Sequence, residues 1–338
     1  MRSADILLLA AAFLLSAAIT GLIRIYAQRA NLLDVPNQRS SHEVSTPRGG
    51  GLGIVIVTLG AAVVLWATGR LESETVVALV LGGGMIATIG FADDHSHVSS
   101  GWRFLVQIIA ASIAVTTLGG LPEIQFGSKV VDLGFVGDLL AIFFMVWFTN
   151  AFNFMDGIDG IAASEAAFIA LGALVASAAG TAVGIPLGVL AAASLGFLVW
   201  NWPPAKIFLG DVGSAFLGFT LIVLAIRATD DAAMSVWPWL ILAGVFIVDA
   251  TVTLITRMFL RQNWLSAHRN HAYQKASRRF GSHLPVTLGV LVLNVVWLLP
   301  LAIAAARLPQ HGWWLTFAAW IPLVGLSFWL GGGRPEAN

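Results

Sequence analysis

The chain has 338 residues, of which 58% are hydrophobic and 11% are charged, and its formal net charge at pH 7 is zero. Soluble domains carry about 25% charged residues, so this composition excludes an ordinary soluble protein and indicates a polytopic membrane protein. The neutral charge gives no argument for a nucleic-acid partner, and the lack of cysteine excludes disulfides and thiolate metal sites.

Eleven apolar segments follow one another, and neither a Pro/Ser-rich linker nor an abrupt shift in composition divides the chain. Because a bilayer is crossed by helices of about 20 apolar residues, we predict an all-α polytopic integral membrane protein with about 11 transmembrane helices. It forms a single domain over residues 1–338, and the first segment is interpreted as a retained span rather than a signal peptide. The segments cover residues 5–25, 50–68, 75–92, 104–120, 136–153, 161–179, 183–201, 213–228, 236–256, 285–306 and 313–330.

Lysine and arginine are concentrated in alternate loops between these segments. Because positive charge favours the cytoplasmic side, the N-terminus is predicted to be periplasmic. The segment 122–134 is then periplasmic as well. Its alternating Ile124, Phe126 and Val130 around Gly127-Ser128 favour a short hairpin.

The first cytoplasmic loop combines basic side chains with a run of glycines. Arg39, His42 and Arg48 suit an anion. The glycines within 49–53 leave two interpretations open, which are close helix packing and approach of the backbone to a phosphate.

The third apolar segment ends in two adjacent acids, Asp93 and Asp94. A helix C-terminus repels carboxylates, so these acids require an explanation. Either they are solvated loop acids, or one is a base or cation partner that the other orients. Arg103, at the start of the next segment, is placed to bind a phosphate or to pair with them.

The stretch N-A-F-N-F-M-D-G-I-D-G follows the fifth segment and places Asn150, Asn153, Asp156 and Asp159 at every third position. On a helix end this spacing gives one polar edge. A cap and turn needs only one such residue, so four of them favour a site for a cation or a phosphate.

Two further cytoplasmic loops carry candidate residues. Asp211 lies between glycines before an apolar segment, where it is expected to act as an N-cap and remains available to Mg²⁺. The longest loop, Arg257 to His283, contains His268, Arg269 and His271. Zinc is an alternative there, but without cysteine or nearby carboxylates the loop better suits a pyrophosphate.

Five sequence blocks taken together resemble the polyprenyl-phosphate N-acetylhexosamine-1-phosphate transferases of glycosyltransferase family 4. That family includes the phospho-N-acetylmuramoyl-pentapeptide translocase and the enzymes that initiate O-antigen and enterobacterial common antigen. The blocks are P-N-Q-R-S-S-H with T-P-R-G-G-G (36–51), G-F-A-D-D (90–94), N-A-F-N-F-M-D-G-I-D-G (150–160), K-I-F-L-G-D-V-G-S (206–214) and H-R-N-H-A-Y-Q (268–274).

The resemblance implies transfer of a sugar-1-phosphate from a UDP-sugar to undecaprenyl phosphate at the cytoplasmic face of a bacterial inner membrane, with release of UMP. It implies dependence on Mg²⁺, with Mn²⁺ as an alternative, and Asp211 and Asn153 as the metal-associated residues. The expected catalytic residues are Asp93, Asp94, Asp156, Asp159, His268 and His271. The expected substrate-binding residues are Asn150, Asn153, Arg39, His42, Arg48, Arg103, Lys206, Arg269 and Tyr273.

The last block departs from the three-histidine run of the translocase, because Tyr273 and Gln274 follow His-Arg-Asn-His. This form resembles the O-antigen branch and implies UDP-GlcNAc or a UDP-deoxy-N-acetylhexosamine, such as the FucNAc or QuiNAc form, as donor. Membrane lipid is the expected surrounding, and a homodimer is left open.

The alternative function is a cation-coupled transporter, which would use Asp249, an acid inside the ninth segment.

Overall fold

The computed structural model describes residues 3–30, 32–34, 45–177, 181–263 and 268–335. Nearly all of its regular structure is helical, as expected for a chain whose apolar segments must satisfy their own backbone groups in lipid. The helices are α1 (Ser3–Arg29), α2 (Leu52–Ala67), α3 (Ser73–His95), α4 (Ser100–Thr117), α5 (Gly134–Phe154), α6 (Ile161–Ala176), α7 (Gly184–Asn201), α8 (Asp211–Asp230), α9 (Val236–Leu242), α10 (Gly244–Phe259), α11 (Ala272–Phe280), α12 (Leu284–Arg307) and α13 (Pro309–Leu330).

Within the described residues, eight helices are long and apolar enough to cross a membrane. Helices α9 and α10 meet the same criteria only as a pair bent by 72°, and α2 and α6 are shorter apolar helices. Each predicted apolar segment contains a described helix, so the prediction of an all-α polytopic membrane protein is confirmed. Of the about 11 predicted transmembrane helices, eight in the described residues qualify as spans, or nine if the bent pair is one span.

A short antiparallel hairpin connects α4 to α5, as predicted for residues 122–134. Its strands are β3 (Ile124–Phe126) and β4 (Lys129–Val131). A second antiparallel pair follows α1 and consists of β1 (Leu33–Asp34) and β2 (Thr46–Pro47). The indole N–H of Trp237 donates to the carbonyl of Gln125 at 2.7 Å. Because α5 has 21 residues, the hairpin lies about 30 Å from the other end of that helix.

Helix α8 occupies the centre of the bundle and packs most extensively on α3 and α5. Phe216 and Phe219 of α8 and Phe148 and Phe152 of α5 are among the largest fully buried side chains. Burying each such side chain contributes about 1.5–3 kcal/mol relative to water, although in lipid the benefit comes mainly from close packing. The first turn of α8 is therefore held in a fixed place among its neighbours.

Two glycine contacts bring three helix ends to one point. A Cβ on Gly90 of α3 would overlap the carbonyl of Asp211, and a Cβ on Gly51 would overlap Gly213 of α8. The absence of side chains at these positions lets the end of α3 and the start of α2 meet the start of α8. These are the ends that carry the polar sequence blocks.

Candidate active site

A pocket of about 280 Å³ opens at this end of the bundle. Its lining includes five aspartates and one arginine, contributed by segments that are far apart in the sequence. The polar and charged lining residues are Asp34, Arg48, Asn153, Asp94, Asp156, Asp159, Asn201, Asp211, Ser214, Gln274 and His283. The structure thus collects residues from all five sequence blocks, or from their immediate flanks, at one end of the molecule.

Backbone hydrogen bonds join the first polar loop to the loop before α8. Phe208 N–H donates to the carbonyl of Pro47 at 2.8 Å, Gly50 N–H donates to the carbonyl of Phe208 at 2.9 Å, and Gly51 N–H donates to the carbonyl of Leu209 at 2.9 Å. The N–H groups of both glycines are therefore occupied by protein. Of the two interpretations of this glycine run, the structure shows close packing.

The basic residues of that loop have different positions. Arg48 lines the pocket. Arg39 and His42 lie outside the described residues.

The two adjacent acids at the end of α3 have different partners. Asp94 accepts the backbone N–H groups of Asp211 at 3.0 Å and Val212 at 3.1 Å, and so caps the first turn of α8. Asp93 instead accepts the N–H of Val98 at 2.8 Å and a guanidinium N–H of Arg103 at 2.7 Å. Of the two acids, only Asp94 is part of the pocket lining.

Arg103 connects the acidic pair to Asp211. One of its guanidinium nitrogens is 2.7 Å from a carboxylate oxygen of Asp93 and 3.2 Å from one of Asp211. The carboxylate of Asp211 is consequently oriented by the guanidinium of Arg103. Asn153 lines the same pocket as Asp211.

Asp156 lies in the loop after α5, close to three other carboxylates. Burial, followed by the negative charges of Asp211, Asp94 and Asp159, raises the pKa of Asp156 well above its usual value. An accumulation of carboxylates in one pocket is an environment that a divalent cation would relieve.

The oxygen ligands in this pocket suit Mg²⁺ better than a metal ion that is held by protein side chains alone. In the described part of the chain, no group of three or more His, Cys, Asp or Glu residues is placed to hold a metal ion. Mg²⁺ needs less, because it usually binds one or two carboxylates and takes its remaining ligands from water and substrate phosphates. Asp211 and Asn153, the residues expected from the sequence, offer such an incomplete set of oxygen ligands.

The four residues at every third position do not all reach the pocket, although α5 continues to Phe154 and contains both asparagines. Asn153, Asp156 and Asp159 line the pocket. Asn150 instead pairs with Gln107 of α4 through two amide hydrogen bonds, at 2.6 and 3.3 Å. It links α4 to α5 and is not part of the pocket lining.

Five polar lining residues were not expected from the sequence as site residues. Two of them, His283 and Asn201, bind neighbouring loops, and the other three are Asp34, Ser214 and Gln274. The Nδ1 atom of His283 is 3.2 Å from a carboxylate oxygen of Asp159, whose other oxygen accepts the N–H of Ala205 at 2.9 Å. Asn201 accepts the N–H of Gly160 and donates to a carbonyl of the next loop. Their sequence signals are weak, since each is a single polar residue at a helix boundary.

The histidine block forms the entry to α11. His271 is buried, with Nδ1 3.4 Å from a carboxylate oxygen of Asp249, and its ring stacks on that of His268 at 5.0 Å between centroids. Burial, with the nearby charges of His271 and Arg257, lowers the pKa of His268 to about 4. His268 is therefore a neutral imidazole near pH 7, and neither histidine is part of the pocket lining.

The remaining predicted residues lie at different distances from the pocket. Tyr273 donates from its phenol to the carbonyl of Phe154 at 2.8 Å and supports the loop that contains Asp156. Lys206 is exposed, with its ammonium 5.8 Å from the ring centre of Trp200. Arg269 lies in the loop before α11, where its carbonyl accepts a hydrogen bond from Arg278.

Sequence comparisons agree with the motifs. The model of glycosyl transferase family 4 matches residues 76–229. A probable undecaprenyl-phosphate N-acetylglucosaminyl 1-phosphate transferase of Bacillus subtilis is 29% identical over 306 residues, covering 88% of this chain and 83% of the relative. A decaprenyl-phosphate N-acetylglucosaminephosphotransferase of Mycolicibacterium smegmatis is 30% identical over 324 residues, covering 85% and 78%.

The comparison extends to the translocase branch. A phospho-N-acetylmuramoyl-pentapeptide-transferase of Gluconobacter oxydans is 28% identical over 279 residues, covering 71% of this chain and 74% of the relative. With its helical membrane architecture and these relatives, this multi-pass membrane protein belongs to glycosyl transferase family 4, the family that its motifs indicate.

Proposed function

We propose that this protein transfers an N-acetylhexosamine-1-phosphate from a UDP-sugar to undecaprenyl phosphate and releases UMP. The observation that carries the proposal is the pocket, in which aspartates from separate segments meet Arg48, with Arg103 behind them. Such a site can hold a divalent cation and can neutralise phosphate oxygens at the end of a membrane bundle. Membership of glycosyl transferase family 4 supports the same reaction.

In the proposed reaction, an oxygen of the acceptor phosphate attacks the sugar-linked phosphorus of the UDP-sugar. The bond from that phosphorus to the bridging oxygen breaks, and UMP leaves with the electron pair. Phosphoryl transfer of this kind needs positioning and charge neutralisation more than covalent help from the protein. We favour this single displacement over a phosphorylated aspartate.

Asp211 and Asn153 would hold Mg²⁺, which would neutralise charge on the pyrophosphate. Arg48 supplies fixed positive charge in the pocket wall, and Arg103 keeps the carboxylate of Asp211 oriented. Either acid of the pair is proposed as the base: Asp94 lines the pocket but caps α8, and Asp93 is held by Arg103 outside the pocket lining. A base would be needed only for the fraction of the acceptor phosphate that is still protonated. A phosphate monoester has a second pKa of about 6 and is therefore largely dianionic at neutral pH.

For the donor, we propose UDP-GlcNAc or a UDP-deoxy-N-acetylhexosamine, with the product entering O-antigen or a related cell-envelope polysaccharide. Two relatives are named for N-acetylglucosamine-phosphate transfer, which supports this choice. The pocket is proposed to face the cytoplasm of a bacterial inner membrane, where UDP-sugars are available.

The test is UMP release by the purified protein in detergent, with undecaprenyl phosphate, Mg²⁺ and a panel of UDP-sugars. We expect release with at least one UDP-N-acetylhexosamine and none without the lipid. An Asp211→Asn variant serves as the negative control. If a folded preparation releases no UMP with any donor, the proposed function is wrong.

The alternative of cation-coupled transport depended on Asp249. In the structure its carboxylate accepts the N–H groups of Ala272 at 2.9 Å and Tyr273 at 3.0 Å, which caps α11. Helix capping accounts for an acid at this position, and we propose no second function.

A further inference from the structure

A short segment after α13 is hydrogen-bonded to the loop that carries the histidine block. We call residues Gly331–Arg334 the glycine segment and residues His268–Tyr273 the histidine loop. The N–H of Gly333 donates to the carbonyl of Asn270 at 2.8 Å. The contacted peptide group therefore lies between the two histidines, directly before His271.

Two side chains hold the glycine segment in place. The ammonium of Lys275, in α11, donates to the carbonyl of Arg334 at 2.7 Å. The amide of Gln262, in the loop after α10, donates to the carbonyl of Gly333 at 3.0 Å. The segment is thus connected to both flanks of the histidine loop.

The position of Gly333 admits no side chain. Its φ is +75°, and a Cβ would lie 2.6 Å from the Cβ of Thr256 and 2.7 Å from the carbonyl oxygen of Thr253. The close contact with α10 fixes the distance at which Gly333 N–H meets Asn270. Alanine at this position would have to move the backbone away from α10.

The histidine loop leads directly into the pocket wall. His271 is the N-cap of α11, Tyr273 donates to the carbonyl at the end of α5, and Gln274 lines the pocket. The side-chain oxygen of Gln274 accepts the N–H of His271 at 3.3 Å. A shift of the Asn270–His271 peptide would therefore reach a lining residue through one hydrogen bond.

We propose that the glycine segment is a positioning element for the nucleotide-sugar side of the site. By holding the Asn270 carbonyl, it keeps Tyr273 and Gln274 against the loop that contains Asp156 and Asp159. The choice of the nucleotide-sugar rests on the proposed function and on the suitability of this loop for a pyrophosphate, whereas the positioning itself rests on the hydrogen bonds described above.

The first experiment needs no substrate. Hydrogen–deuterium exchange of residues 268–274 is compared between the wild type and Gly333→Ala in detergent. We expect about tenfold faster exchange in the variant, the effect of forcing an L residue into a left-handed conformation. The matched control is Gly69→Ala, since Gly69 also has a positive φ of +67° but no atom within 4 Å of its Cβ position.

A second variant covers the case in which Gly333→Ala does not fold. Lys275→Met removes the ammonium donor and keeps most of the aliphatic chain, and we expect a smaller increase in exchange over the same residues. Unchanged exchange of residues 268–274 in the folded variants would overturn the proposal.

The second experiment measures KM for each substrate separately. We expect Gly333→Ala and Lys275→Met to raise KM for the UDP-sugar about threefold to tenfold, with no change in KM for undecaprenyl phosphate. Gly69→Ala should change neither value. An increase confined to the lipid KM would overturn the assignment to the nucleotide-sugar side. If the wild type transfers no sugar-phosphate at all, the proposed function fails, and the exchange experiment still decides the positioning.

Discussion

The carboxylate of Asp94 accepts the backbone N–H of Asp211 at 3.0 Å, so an acid at the end of α3 caps the helix whose first residue is the candidate metal ligand. Its neighbour Asp93 is paired with Arg103 instead. Adjacent residues of the same type therefore have separate tasks. Asp94 places the start of α8, whereas Asp93 is held by Val98 and Arg103 outside the pocket lining.

We expect Asp94→Ala to reduce stability, because it leaves the N–H groups of Asp211 and Val212 without their acceptor. Loss of an N-cap costs about 0.5–2 kcal/mol, so its Tm should fall below that of the wild type. Asp93→Asn should lower Tm less than Asp94→Ala does, since an amide oxygen can still accept the N–H of Val98. Thermal unfolding of both variants in the same detergent measures the difference, and an equal loss of Tm would contradict it.

The same Asp93→Asn variant tests the base role. If Asp93 accepts a proton during transfer, the pH dependence of kcat between about pH 5.5 and 8 should differ between wild type and variant. Both should slow at low pH as the acceptor phosphate protonates. Identical profiles would show that Asp93 contributes charge only.

Asp211→Asn should abolish most turnover and weaken the dependence on Mg²⁺. Loss of a metal ligand removes several kcal/mol of transition-state stabilisation, on the order of 10³-fold in rate. UMP release is measured across a Mg²⁺ titration, with the elution profile of the purified protein as the folding control. More than about a tenth of wild-type activity in a folded variant would rule out this ligand assignment.

His283 and Asp159 should act as a coupled pair, since their side chains approach to 3.2 Å at the pocket wall. In a double-mutant cycle on kcat/KM, His283→Ala and Asp159→Ala should give a coupling energy of about 0.5–3 kcal/mol. The control cycle combines His283→Ala with Asp132→Ala, an exposed residue beside the hairpin. Additivity in both cycles would mean that the contact has no part in catalysis.

A fully buried polar pair lies deeper in the bundle, where Asn294 of α12 donates to Glu165 of α6 at 2.6 Å. One oxygen on each side chain has no hydrogen-bond partner. We expect Glu165→Gln to keep or raise Tm. The glutamine oxygen can still accept from Asn294, and the new NH₂ group can donate to the side-chain oxygen of Asn294, which has no partner in the wild type. Asn294→Leu should lower stability by about 1–3 kcal/mol by leaving the carboxyl unpaired. A lower Tm for Glu165→Gln than for Asn294→Leu would contradict this view of the pair.

The helical segments and the hairpin were predictable because lipid permits few backbone structures and because Gly127-Ser128 is a turn sequence. The 72° bend between α9 and α10 was not, since it falls inside one continuous apolar stretch. A break of this kind depends on how neighbouring helices pack, which a hydropathy pattern does not record.

The gathering of the polar blocks at one end also followed from the sequence, because each block borders an apolar segment on the same predicted side. The partners of individual side chains did not. Asn150 shares its spacing with Asn153 but turns to Gln107, and Asp159 meets His283 across 124 residues of chain. Such pairings are set by tertiary contacts, including the approach that Gly90 allows, and these are absent from local spacing.

The hairpin between α4 and α5 has a practical consequence. Its tip residue Ser128 is exposed about 30 Å from the pocket end of α5, and the chain contains no cysteine. Ser128→Cys would therefore introduce a single thiol. A maleimide that does not enter cells would label it in intact bacteria only when the hairpin faces outward, which makes the orientation of the whole bundle readable from one band on a gel.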